Sequence, residues 1–167
     1  SSLVVPPGNT AVSTLTRDGG DIVITFANPF PTNIDQGLIG VKFRFDEVSN
    51  YNRVIDFSRA LSDDGAYVAG GHFVYYPNLL QSVSNITVDE WVNVVLTRSR
   101  AGRMRGYVDG EQVFDFTDTS AGKLNDLNTL RFFRDNDNRE ETSGAVARIR
   151  LYDDGMTPAQ VAQVGLG

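Results

Sequence analysis

The sequence predicts an all-β fold, a sandwich of two antiparallel sheets with about 10–12 strands and one short helix at its end. Three observations carry that prediction. Residues 91–116, WVNVVLTRSRAGRMRGYVDGEQVFDF, read as three consecutive antiparallel strands. Val92, Val94 and Leu96 alternate with Trp91, Asn93, Val95 and Thr97, the period-two pattern of a strand with one face on a core. Asp109-Gly110 then sits between two β-rich runs, where a type I′ turn needs positive φ at both central residues. Short runs of this kind, separated by turn residues, recur along the chain, and helical signals are confined to its end.

Taken in order, residues 1–9 form a lead-in broken by Pro6, Pro7 and Gly8, and Thr10 to Thr16 is a weak edge strand. Asp18 to Asp21 is a turn before a strand over Asp21 to Ala27, and the prolines of Asn28 to Asn33 mark a loop. Leu38 to Glu47 alternates cleanly, with Val41, Phe43 and Phe45 opposite Lys42, Arg44 and Asp46. Tyr51 to Arg59 is less regular, with Val54 and Ile55 adjacent at its centre. Ala66 to Tyr76 contains Gly70-Gly71 and so reads as two short strands or one bulged strand. Gln81 to Thr87 is a further strand before the central three, and Thr129 to Arg134 and Ala145 to Tyr152 follow them. Thr157 as N-cap, Pro158 at the first helical position and Gly165 as a stop delimit a helix of about two turns.

Length and composition narrow the function. At 167 residues with 41% hydrophobic and 22% charged, the chain has the size and make-up of one globular domain spanning residues 1–167. Its 15 basic and 21 acidic residues give a net charge of −6, which argues against nucleic acid as a partner. Nothing approaches the ~20 apolar residues of a membrane-spanning helix, so no membrane insertion is expected. The absence of cysteine removes disulfides, thiol catalysis and thiolate zinc sites. A start at Ser1-Ser2 without Met reads as a module of a larger chain. Asn85-Ile86-Thr87 is a glycosylation sequon, too common by chance to decide anything.

The Trp opening a strand, the arginine-spotted turn and Tyr107-Val108-Asp109-Gly110 together resemble the jelly-roll domains of the laminin G and concanavalin A-like lectin/glucanase superfamily. Ser143 to Asp153, followed by Met156 to Val161, resembles the closing strand and short helix of the same domains. The likeness covers most of residues 38–165 and weakens toward the N-terminus, where residues 1–37 carry no landmark. It implies a jelly-roll sandwich and often a sugar- or protein-binding role, without naming a ligand.

Several constellations are candidates for chemistry. Asp135, Asp137, Glu140 and Glu141 alternate with amides and Arg139 in one loop, and such oxygens can converge on Ca²⁺, which takes roughly six to eight oxygen ligands. Arg139 stands where an EF-hand has a ligand, and that motif's glycine is absent, so this is no EF-hand. In domains resembling this one, an acidic loop before the last strand often holds calcium. The other reading is a solvated acidic turn partly neutralised by Arg134 and Arg139. Tyr51, Asn52 and Arg53, together with His72, Tyr75 and Tyr76, have the composition of a sugar platform, aromatic faces beside hydrogen-bonding groups. Alternate members of those runs equally read as core, whereas Phe43, Phe45, Phe57 and Trp91 read as core rather than as binding residues. Arg98, Arg100, Arg103 and Arg105 suit an acidic polysaccharide, or simply a solvated hairpin.

Catalysis is not expected. None of the five glutamates is followed by Asp two residues later, so the Glu-x-Asp-x-x-Glu strand of laminarinase-type relatives is missing. His72 is the only histidine, and there is no G-x-S-x-G or H-E-x-x-H. The expected function is a carbohydrate-binding, lectin-like module of an extracellular or cell-surface protein, with Ca²⁺ assisting. The alternative is a protein-interaction, adhesion or spacer module. The expected partner is accordingly a glycan or a surface protein.

Overall fold

A computed structural model gives the fold. It describes residues 2–4, 16–18, 21–25, 37–56, 62–78, 86–99, 101–118, 129–135, 137, 139–152 and 159. The described strands are β1 (Ser2–Val4), β2 (Thr16–Asp18), β3 (Asp21–Thr25), β4 (Gly37–Phe45), β5 (Tyr51–Asp56) and β6 (Gly65–Ala69). They continue with β7 (His72–Tyr76), β8 (Val92–Arg98), β9 (Arg103–Val108), β10 (Glu111–Thr117), β11 (Thr129–Phe132) and β12 (Gly144–Tyr152). These form two six-stranded sheets, in the orders β1-β12-β4-β8-β9-β10 and β2-β3-β11-β5-β6-β7. Every pairing is antiparallel except β1 with β12.

The alternations read from the sequence set the inner faces. Val41, Phe43 and Phe45 of β4 and Val92, Val94 and Leu96 of β8 are buried in one core cluster with Val54, Ile55, Val68, Phe73 and Phe132 of the opposite sheet. The β9–β10 turn has Asp109 at φ 48° and Gly110 at 86°, the two positive values that a type I′ hairpin requires. Gly70 and Gly71, at φ 57° and 77°, make the same kind of turn, so Ala66 to Tyr76 is two strands.

Some expectations change. Part of the lead-in, Ser2–Val4, is a strand alongside β12, because the edge of that sheet is open to any extended segment. The early edge strand lies at Thr16–Asp18, where it forms a hairpin with β3. The expected strand from Gln81 lies mostly outside the described residues, and Ile86 and Thr87 are not in a strand. The C-terminal helix also lies outside them, apart from Ala159, which is helical. No helix among the described residues is long and apolar enough to cross a membrane.

Candidate functional site

The irregularity of β5 positions the site. Register shifts between Arg53 and Ile55, so Val54 and Ile55 both enter the core. Such a bulge turns the flanking Arg53 and Asp56 to the outer face of the sheet. There Arg53 meets Tyr67 of β6, its cross-strand partner, with the guanidinium carbon 4.7 Å from the ring centre. Its Nη1 donates to Asp56 Oδ1 at 3.1 Å, and its Nη2 lies 3.0 Å from Asp135 Oδ1. Nη2 also donates to the Ser62 carbonyl and the Tyr67 hydroxyl. Arg53, Asp56 and Asp135 are 2% exposed or less, so this is a buried ion network rather than a surface one. Gly65 makes room for it: a Cβ there would stand 2.5 Å from the Ile55 carbonyl oxygen and 3.5 Å from Arg53 Nη1. Burial pushes the Tyr67 hydroxyl pKa up, Arg53 opposes the shift and the neighbouring carboxylates add to it, so the phenol stays protonated.

Above this network lies a cluster of acids. Asp63, from the loop before β6, Asp135 and Glu140 place carboxylate oxygens within 4.8 Å of one another. Oxygens bound to one Ca²⁺ at 2.3–2.6 Å lie up to about 5 Å apart, so this spacing suits that ion. The backbone fixes the geometry, since the Arg53 amide donates to the Glu140 carbonyl at 2.8 Å and the Tyr67 hydroxyl to the Asp63 carbonyl at 2.7 Å. Burial raises the Glu140 carboxyl above its ordinary range, and the charges of Asp135 and Asp63 raise it further. A cation here would relieve that repulsion.

Asp135 and Glu140 thus come together, joined by Asp63, which sequence reasoning missed. Asp137 turns out to solvent, 3.2 Å from Arg139, and its amide donates to Asp135 Oδ2. Glu141 accepts the Asp135 amide at 3.1 Å and so supports the loop. Neither belongs to the convergent set.

The sugar-platform residues divide. Tyr51 is 39% exposed, and its ring stands edge-on to Tyr67 at 6.0 Å. Asn52 is buried and donates to the Glu47 and Asn50 carbonyls, so it braces a turn. Arg53 is committed to the ion network. Tyr75 is buried against Phe116, and burial raises its pKa. Tyr76 is exposed but pairs with Gly65, at the far end of its hairpin from Tyr51, which pairs with Ala69. His72, half-buried, pairs with Ala69. Among the arginines of the hairpin, Arg98 is buried near Asp118, and Arg103 and Arg105 both bond Asp115. Arg100 lies outside the described residues. Trp91, expected in the core, is 48% exposed.

The sequence profile of the concanavalin A-like lectin/glucanases superfamily, in its laminin G-type form, matches residues 43–162. The chain belongs to that superfamily. No curated protein sequence matches it. Among solved structures, this laminin G-type chain is similar to the botulinum neurotoxin serotype D binding domain, at 12% identity and TM-score 0.60 over 90% of this chain and 41% of that one. It is similar to the binding domain of botulinum neurotoxin DC in complex with rat synaptotagmin II, at 11% and 0.61 over 89% and 40%. A structure concerning botulinum neurotoxin type C, whose cell entry depends on interaction with two ganglioside molecules, matches at 13% and 0.60 over 86% and 39%. The chain therefore spans about two-fifths of these structures. Identities this low speak for the shared jelly-roll fold alone.

Proposed function

We propose that this laminin G-type domain is a non-catalytic binding module of an extracellular or cell-surface protein, and that it takes a glycan beside a Ca²⁺ held by Asp63, Asp135 and Glu140. The observation that carries this reading is the convergence of three carboxylates around Tyr67, whose hydroxyl bonds the Asp63 carbonyl and whose ring meets the exposed Tyr51 ring edge-on at 6.0 Å. Carboxylate oxygens suit a hard cation, whose open positions take sugar hydroxyls, while an aromatic face takes the apolar side of a pyranose. The same geometry argues against hydrolysis. Asp135 is buried and bonded to Arg53, so it cannot reach a glycosidic bond as acid or nucleophile.

A glycan-panel screen, with millimolar Ca²⁺ and again with a chelator, tests the proposal. Binding that the chelator removes, and that Asp63→Asn or Glu140→Gln also removes, is the expected result. Binding indifferent to both would leave the sugar role and discard the metal. A second reading, a module that docks a surface protein, draws on the likeness to a binding domain in complex with synaptotagmin. An empty panel in both arms would favour it.

A further inference from the structure

In a chain of net charge −6, three cations meet on the outer face of the sheet that holds β4 and β12. Ile39, Val41 and Phe43 of β4 point into the core, so Gly40 and Lys42 between them face outward. On one side Arg150 of β12 stands opposite Gly40, and Arg148 opposite Lys42. On the other side Val95 of β8 stands opposite Gly40, and Asn93 opposite Lys42. Ile149 and Val94, which lie between these residues, are core, and that fixes the same outward phase on β12 and β8. Gly40 has no side chain, and a dimple of about 10 Å³ lies there, lined by Gly40, Lys42, Asn93, Val95, Arg148 and Arg150. That is room for a single oxygen atom. All three cations are half-buried, and no carboxylate of the described residues lines the dimple. Asp109, which accepts the Asn93 amide at 2.9 Å, is held in the β9–β10 turn and is not part of the wall. Like charges directly opposite on a sheet repel, so Lys42 beside Arg148 carries a cost that an anion between them would offset.

We propose that this dimple binds a phosphate group, with one oxygen seated over Gly40 and the others meeting Lys42, Arg148 and Arg150. Charge and shape both favour that class. Three cations suit a doubly charged oxyanion better than a single carboxylate, and guanidinium forks match phosphate oxygens in pairs. Both arginines make other contacts as well, and each fork has several N–H donors to share among them. The acid cluster belongs to the opposite sheet, around β5 and β6, so the phosphate site is independent of calcium and of any glycan.

Inorganic phosphate, titrated at constant ionic strength, is expected to raise the melting point of the unaltered chain in a saturable way at millimolar concentration. Glycerol phosphate should do the same, because its ester oxygen stays outside the dimple. Gly40→Ala puts a methyl group where the oxygen sits and should abolish the response with every charge kept. Lys42→Gln and Arg148→Gln should each weaken phosphate binding about tenfold. Arg103→Gln, on the same face but tied to Asp115, should leave it unchanged. In phosphate-free chloride buffer Lys42→Gln should melt no lower than the unaltered chain, which separates a binding role from a structural one. If Gly40→Ala does not fold, the charge variants set against Arg103→Gln carry the test. A response that never saturates, or that survives Gly40→Ala and Lys42→Gln alike, would be the general effect of an excluded salt and would overturn the site. Sulfate preferred to phosphate would overturn the choice of ligand, and no response to either ion would end the proposal while leaving the glycan reading standing.

Discussion

Arg53 in β5 and Arg103 in β9 each hold carboxylates, Arg53 at 3.0 and 3.1 Å, Arg103 at 2.7 Å. The Arg53 side chain is fully buried, whereas that of Arg103 is 54% exposed. By distance alone the exposed pair is the tighter one. Burial reverses the ranking, because a charge out of water depends on its partner in a way a solvated charge does not. Arg53 welds two loops and two strands into the floor of the acid cluster. Arg103 and Arg105 converge on Asp115 and decorate a hairpin that already folds by its turn.

The largest expected effect follows from removing the buried cation. Arg53→Met leaves Asp56 and Asp135 facing each other without it, and urea unfolding should show a loss of about 3–5 kcal/mol. A loss no greater than for a surface arginine would erase the contrast. Gly65→Ala should cost about 1–3 kcal/mol, since its Cβ must displace the Ile55 carbonyl beneath Arg53.

Glu140→Gln sharpens the comparison in the opposite direction. A carboxyl with a raised folded pKa opposes folding once ionised, a penalty that grows as pH rises from the unfolded value through the folded one. The variant should therefore melt higher than the unaltered protein at neutral pH without calcium, and the difference should vanish in acid. Calcium should raise the melting point of the unaltered protein more than that of the variant, and less so as acid protonates Glu140. Equal calcium responses would remove Glu140 from the site.

Asp115→Asn should give the smallest change. Bonds from Arg103, ahead of that from Arg105, hold the Asp115 carboxyl below its ordinary range. What it contributes is present above its unfolded pKa and is lost as pH falls through the folded one. Exposure and screening keep that contribution small, so it should disappear in about 0.5 M salt. A loss that persists in salt would put this hairpin on a par with the Arg53 network.

The contrast also explains what the sequence could and could not convey. Period two and Asp109-Gly110 are local signals, and both sheets follow from such signals with little loss. The same alternation that sends Val92, Val94 and Leu96 inward sends Trp91 outward; reading it as core gave its size more weight than its phase. The composition around Arg53 suggests a sugar platform, but its burial depends on Asp135, far along the chain. The adjacency of Val54 and Ile55 was the visible trace of the bulge that turns Arg53 toward Tyr67. Asp63 had no such trace, since only the folding of its loop over Tyr67 brings it to Glu140.

The parallel pairing of β1 with β12 has a mechanical consequence. The two strands run the same way, with Ser2 beside Arg148 and Val4 beside Arg150. Tension applied backward at Ser2 and forward at Tyr152 therefore pulls along their shared ladder, loading its hydrogen bonds together in shear instead of peeling them one at a time. A domain stretched between a tether and a captured surface would meet that load at the seam where β1 and β12 lie side by side.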